Sequence, residues 1–437
     1  MMRGLIRARS ITLFSLAFGT VIGCAEPGPA QDAPGSAGRA PATGVEVEAA
    51  QVEMDAALLD EIDTTILEAI ADSAAPGAAL AIGRHGRLVR LRGYGALDWA
   101  DRTPVDPQSI YDLASLTKVI GTTTAVMLLV DEGRLALGDL VVDHLPWWSR
   151  GDERKSSVTL HQLLVHRAGL PAFRRWFFEM EGREAYQAAI ADVALERDPG
   201  GETVYSDIGV MTVALIVELV TGQRLDRFLE ERLFTPLGMG DTGFLPSPDL
   251  LARIAPTEMD TTWRGELVRG RVHDENADAY GGVAGHAGLF STVADLAVFA
   301  DLLLRRGTVP GCDATAPDGR PCPATRPAPQ TLISEATVGE FTRRADPSSS
   351  RAIGWDTPSG RSSAGDLFSA QSFGHTGYTG TSIWMDPERD LFVVLLTNRV
   401  NPTRENSRHV PLRRRVHDLA ARAVVDVPAT PRAGGSS

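Results

Sequence analysis

Ser115-Leu116-Thr117-Lys118 places a hydroxyl and an amine one helical turn apart. A serine with a base at that spacing is the layout of an activated nucleophile for acyl transfer. It is also the layout of a helix N-cap serine followed by a surface lysine. The rest of the chain favours chemistry. Of its 43 lysines and arginines only Lys118 and Lys155 are lysine, so wherever a fixed positive charge suffices the chain uses arginine. Arginine keeps its proton in a protein, whereas a desolvated lysine gives it up. If Lys118 is buried beside other positive groups its pKa falls, and the neutral amine can take the serine proton.

Two further motifs follow in order. Tyr205-Ser206-Asp207 comes after a glycine-bearing turn and before an apolar helix. A tyrosine held against cations can serve as general base and then as acid to the leaving group. Tyr205 can equally be a packing residue, and Ser206 and Asp207 can cap the helix. His375-Thr376-Gly377 falls on a candidate edge strand, where Gly377 admits close approach of a substrate backbone. The backbone N–H groups of Ser115 and Tyr378 would form the oxyanion hole. His375 and Thr376 would face a leaving group or substrate carboxylate.

The elements that must position these residues are legible in the periodicity. Residues 54–72 read as an amphipathic helix, and 77–95 as two strands turning at Arg84-His85-Gly86. Helical stretches fill the middle at 116–132, 159–166, 184–195, 208–221, 225–233 and 293–306. Three strands follow in 373–398, the last two joined through Asp386–Asp390, and a closing helix spans about 412–425. Strands at both ends and helices between them predict one antiparallel sheet built from both termini, with a helical lobe inserted.

Together the three motifs resemble the signature of the serine β-lactamase and penicillin-binding-protein superfamily, S-x-x-K, then S-D-N or Y-x-N, then K-T-G. They are most like its class C branch, which uses a tyrosine in the second motif. LHQLLVHRAGLP at 160–171, PLGMGDTGF at 236–244 and the stretch from 281 to 307 support the resemblance, which covers roughly residues 54–425. It implies an α/β, β-lactamase/transpeptidase-like fold: an antiparallel sheet flanked by terminal helices, plus a mainly helical lobe. The catalytic domain would span 51–430, with the helical lobe at about 113–335, the α/β lobe at about 54–112 and 336–427, and a disordered tail at 431–437. It also implies an acyl-enzyme on Ser115, proton transfer by Lys118 and Tyr205, and substrate contacts from Asp207, His375, Thr376 and Gly377. The implied substrates are D-alanyl-D-alanine peptides first, then small carboxylic esters, then β-lactams; a non-catalytic peptidoglycan-binding protein is the alternative outside enzymology. No cofactor and no metal is implied. Two departures matter. His375 stands where most β-lactamases have lysine, and an imidazole anchors a carboxylate less firmly than an ammonium. Asp207 stands where class C enzymes have asparagine, which removes an amide donor and repels a carboxylate.

Other histidines read as structural. His166 is expected to be a buried packing residue. His273, Asp274, Glu275 and His286 fit no zinc spacing and are expected to line the cleft.

Residues 1–23 read as a secretory signal, with Arg3, Arg7 and Arg9 before a short apolar run. Val21-Ile22-Gly23-Cys24 resembles a bacterial lipobox, with Cys24 as the lipidated residue. Ala25 at the next position points to the periplasmic face of the outer membrane. Residues 24–50 are Ala/Pro/Gly-rich and read as a disordered tether. The formal net charge is −13, and loss of the three leader arginines leaves −16. An acidic, aromatic-poor surface argues against nucleic acid and against polybasic membrane docking. Membrane attachment would run through the lipid. In an oxidising compartment Cys312 and Cys322 are expected to close a local disulfide worth about 2–3 kcal/mol.

Overall fold

The computed structural model describes residues 46–311, 328–344, 346 and 348–427. Cys24, Cys312, Cys322, the signal segment and the 431–437 tail lie outside them. The central strands are β1 (Gly77–Arg84), β2 (Arg87–Gly95), β3 (Phe373–Thr376), β4 (Ser382–Asp386) and β5 (Leu391–Thr397). They form one antiparallel sheet in the order β3-β4-β5-β1-β2. The two termini therefore meet in the middle of the sheet, and β3 is its edge.

Every residue of β1 and β5 is buried, because both faces of the sheet are covered. Alternation along each strand sorts side chains between two cores. Leu80, Ile82, Val393 and Leu395 face α1 (Ala56–Ala71) and α4 (His409–Ala423). Ala79, Ala81, Phe392 and Val394 face the helical middle of the chain. Asp55 caps α1 by accepting from the N–H of Ala57 at 2.8 Å. His85 and Gly86, both at positive φ, make the two-residue turn between β1 and β2.

Two boundaries differ from expectation. Residues 46–50 belong to the ordered domain, not to a tether. Val47 N–H donates to Leu88 O at 2.8 Å, and Glu46 accepts from Arg92 and from the N–H of Leu91. From its position in the chain, helix α3 (Val293–Leu304) is expected in the inserted lobe. It packs on β1, β4 and β5, because its buried Leu, Val, Ala and Phe side chains need the sheet.

The second lysine is structural. Lys155 is buried, and its Nζ donates to Ile190 O at 2.9 Å and Ala191 O at 3.0 Å, in the last turn of the helix Arg183–Asp192. It also lies 4.8 Å from the centre of a Trp148 ring. A cation suits a helix C-terminus, yet burial pulls this amine down to about 8. In the unfolded chain it titrates near about 10.4. Between those values the unfolded state binds more protons, so this residue's contribution to stability rises with pH through the window. Urea unfolding of the native protein and of Lys155→Met at pH 7.5 and 10 is expected to show the native protein gaining about 2 kcal/mol relative to the variant.

Candidate active site

The nucleophile loop is built by a buried aspartate. Asp112 Oδ1 accepts the N–H of Ala114 at 2.8 Å, and its Oδ2 accepts the N–H of His273 at 2.6 Å. Ala114 is held at φ +47°, a conformation alanine adopts only under constraint. Leu113 N–H donates to Leu289 O, and the helix starts at once through tight turns, with Lys118 N–H donating to Ser115 O at 3.1 Å. Ser115 thus stands at a helix start, half-buried, with its hydroxyl in the cleft. The helix then widens into a π-helical turn over Lys118–Thr123 before Thr124–Asp131, a feature that recurs at functional sites.

Lys118 is buried, and its ammonium meets three acceptors. Nζ lies 3.0 Å from Ser115 Oγ, 2.9 Å from His286 O and 2.7 Å from Asp207 Oδ1. The carbonyl of His286 reaches it because Gly285 has no side chain. A Cβ there would lie 2.5 Å from Ala214 Cβ and 2.6 Å from Val210 O. This arrangement overturns the expectation of a neutral amine at 118. Burial pulls its pKa down, but the Asp207 carboxylate, aided by the neighbouring Tyr205 oxygen, more than offsets that and raises it above the ordinary lysine value. The 2.7 Å contact with a carboxylate favours the ammonium form of Lys118.

The second motif is fixed by His166. Its Nδ1 accepts the N–H of Ser206 at 3.1 Å, and its carbonyl accepts the N–H of Val204 at 2.8 Å. Ser206 caps α2 (Asp207–Thr221), donating to Pro171 O and accepting from Gly209 N–H. Asp207 follows as the first helical residue, its carboxylate turned to Lys118. The Tyr205 ring lies between His166 (4.6 Å between centroids) and His375 (5.9 Å, stacked). Lys118 Nζ is 4.9 Å from its centre, and the Arg351 guanidinium is 5.1 Å away. The phenol oxygen is buried next to the Lys118 amine, and among the described residues no well-formed hydrogen bond engages it. Catalytic hydrogen bonds often tighten only when substrate arrives.

The third motif abuts the nucleophile loop. A Cβ on Gly377 would lie 2.4 Å from Leu113 O, so only glycine allows this approach. Thr379 and Thr381 hydroxyls donate to Asp112 O at 2.7 Å and Leu113 O at 3.1 Å. Among the described residues, neither the Ser115 nor the Tyr378 N–H donates to another protein group, which leaves both for a ligand. His375 is buried and neutral: burial first, then the charges of Arg351 and Lys118, hold it well below the ordinary histidine value. Arg351 can only donate, so His375 Nε2 accepts from it at 3.3 Å and Nδ1–H donates to Thr376 O at 2.9 Å. Thr376 is half-buried beside it.

The acids and histidines of 273–286 are matched to protein partners. His286 Nε2 is 2.9 Å from Asp274, and His273 Nε2 is 2.9 Å from Glu258. Glu258 also binds Arg404, which reaches Glu275 at 2.7 Å. His273 and Arg404 bring Glu258 down to about 2 against its burial. Asp274 is likewise held low, by His286 and Lys118. This region therefore supports Lys118 and the Tyr378 ring, which stacks on His273 at 5.8 Å.

A family model described as beta-lactamase matches residues 62–418. The chain belongs to the beta-lactamase family. An Escherichia coli (strain K12) protein named "Putative D-alanyl-D-alanine carboxypeptidase" is 30% identical over 378 residues, covering 78% of this chain and 82% of its own length. Among solved structures, a penicillin-binding-protein homologue from Caulobacter crescentus superposes with a TM-score of 0.66 at 22% identity, over 87% of this chain and 99% of its own. EstCE1, described as a hydrolase with promiscuous acyltransferase activity, does so with a TM-score of 0.64 at 22% identity, over 83% and 98%. The fold is that of β-lactamases and transpeptidases, and the protein is a beta-lactamase-family hydrolase.

The sequence places Asp274 and His286 along the cleft, but it does not point to Arg351, to Asp112 or to the main-chain oxygen of His286 as parts of this site. Arg351 lies in a serine-rich loop with no periodic signal. His286 contributes a backbone atom, which residue type does not advertise. The rarity of lysine flagged Lys118, but no such signal marks one arginine among 41.

Proposed function

We propose that this hydrolase works through an acyl-enzyme on Ser115 and that its substrates are peptides of the D-alanyl-D-alanine type, cleaved as a carboxypeptidase cleaves them. The observation that carries the first part is the hydrogen bond from the Lys118 ammonium to Ser115 Oγ, at a helix start beside two N–H groups left for a ligand. Ser115 Oγ attacks the scissile carbonyl and its proton passes to Tyr205. The N–H groups of Ser115 and Tyr378 receive the developing oxyanion. Tyr205 returns the proton to the leaving amine, and water repeats the sequence on the acyl-enzyme. Cys24 lipidation would hold the enzyme at the periplasmic face of the outer membrane, where such peptides occur.

Arg351 supports the substrate class. Its guanidinium bonds His375 and covers Tyr205, and among the described residues it forms no ion pair. A cation beside the third motif suits a substrate carboxylate, the function that the neutral His375 cannot perform by charge. Asp207 and the neutral histidine favour a second reading, a carboxylic esterase, because both weaken a carboxylate seat. One assay separates them: turnover of a D-Ala-D-Ala peptide, p-nitrophenyl acetate and nitrocefin by the native protein and Arg351→Gln. A charged hydrogen bond is worth about 1.5–3 kcal/mol, so the variant is expected to raise KM for the peptide about 10–100-fold. Ester turnover should fall less, by the part of the effect that reaches Tyr205 rather than a substrate carboxylate. Ester turnover without peptide turnover in the native protein overturns the carboxypeptidase reading.

A further inference from the structure

The reading of Ser115 as nucleophile leaves open what an aspartate does where a neutral amide donor is the expected residue. Three donors of Lys118 meet three acceptors, and the shortest of these contacts, at 2.7 Å, is to Asp207 Oδ1. The lysine side chain is 3% exposed and the aspartate side chain 20%, so the pair is largely shielded from solvent. We propose that Asp207 is a positioning residue that keeps Lys118 an ammonium and so assigns the serine proton to Tyr205. The inference rests on the acyl-enzyme reading but deepens it, because it names the residue that divides the proton work.

The geometry carries the argument. An ammonium set among Oγ, a carbonyl and a carboxylate has no lone pair to offer Ser115, and the carboxylate at 2.7 Å is what favours that form. It acts on Oγ as a donor, which steadies the alkoxide character that grows during attack. In the step itself the Oγ–H bond breaks as Oγ bonds the carbonyl carbon. The proton goes to the Tyr205 oxygen as the phenol's own proton passes on to the leaving group, and the carbonyl π pair moves onto the oxyanion. Lys118 keeps its proton throughout. The other groups facing Lys118 do not substitute for Asp207. Asp274 lies behind His286, and its carboxylate is taken up by the imidazole. Arg351 and neutral His375 approach from the third motif, and neutral His166 lies across the Tyr205 ring; burial and the neighbouring cations hold both imidazoles uncharged. Among the described residues, Tyr205 is the remaining proton acceptor set against the amine.

The chain's two lysines make the state of Lys118 directly observable. Protein labelled with 13Cε-lysine gives two side-chain signals, and Lys155 is assigned by its loss in Lys155→Met. The Lys155 signal is expected to titrate near pH 8. The Lys118 signal is expected to stay in its charged position to pH 11 in the native protein. In Asp207→Asn it is expected to titrate at least one pH unit lower, and Asp207→Glu is expected to restore the native behaviour. The pH profile of kcat/KM with p-nitrophenyl acetate, a substrate without a titrating group, should gain an alkaline limb in Asp207→Asn that matches the Lys118 titration. A native Lys118 signal that already titrates below pH 10 overturns the proposal, and that measurement needs no variant to fold. An identical Lys118 titration in native and Asp207→Asn proteins overturns it as well. Loss of the acyl-enzyme reading looks different: covalent labelling by a fluorophosphonate would then fail to map to Ser115 whatever Lys118 does.

Discussion

Ser115→Ala is expected to lower hydrolysis of every substrate by about 10⁴-fold or more, the scale at which removal of a serine nucleophile is felt. The hydroxyl removed is the atom to which Lys118 donates at 3.0 Å. The oxyanion donors are backbone groups and survive the substitution. Residual rate above the uncatalysed background would therefore report binding and the N–H pair alone. The fold should be unaffected beyond about 1 kcal/mol, since alanine deletes one half-buried oxygen without leaving a cavity. The checks are steady-state rates, phosphonate labelling mapped by mass spectrometry, and thermal unfolding. A variant that keeps a tenth of the native rate removes Ser115 from the mechanism.

Lys118→Met is the second large effect. It should cost about 10²–10⁴-fold in kcat, because the donor to Oγ and the positive charge beside Tyr205 disappear together. It should also destabilise, by about 2–4 kcal/mol, because the Asp207 carboxylate and the His286 carbonyl lose their common partner. The two losses are separable. Adding Asp207→Asn removes the stranded charge, so the double variant should recover about half or more of the lost stability and none of the lost rate. Urea denaturation of the two single variants and the double closes the cycle. Recovery of activity in the double variant would show that Lys118 acts only to neutralise Asp207.

The sequence revealed most where chemistry and local pattern coincide. Ser115 and Lys118 share one helical turn, the β1–β2 turn carries His85-Gly86, and His375-Thr376 lies on an edge strand. Each is a short-range statement, and each is found as expected in the fold. What the sequence withheld is long-range. The charge of Lys118 is set by a carboxylate 89 positions away, and its third acceptor is a main-chain oxygen at 286. Arg351 meets His375 across 24 residues that include an irregular loop. The strain at Ala114 belongs to a residue type that does not signal positive φ, and it exists because Asp112 holds the adjacent N–H. The contacts of Glu46 with Arg92 on β2 are not legible in its composition, which continues the Ala/Pro/Gly-rich stretch before it.

Both lysines of the chain are buried, at 2% and 0% exposure. The folded surface therefore offers no ε-amine to an acylating reagent. Succinimidyl esters and aldehyde cross-linkers will leave the native side chains untouched and will mark them only when a molecule opens. The extent of amine modification thus becomes a readout of how often the interior is exposed, taken on an unmutated enzyme and without any introduced probe.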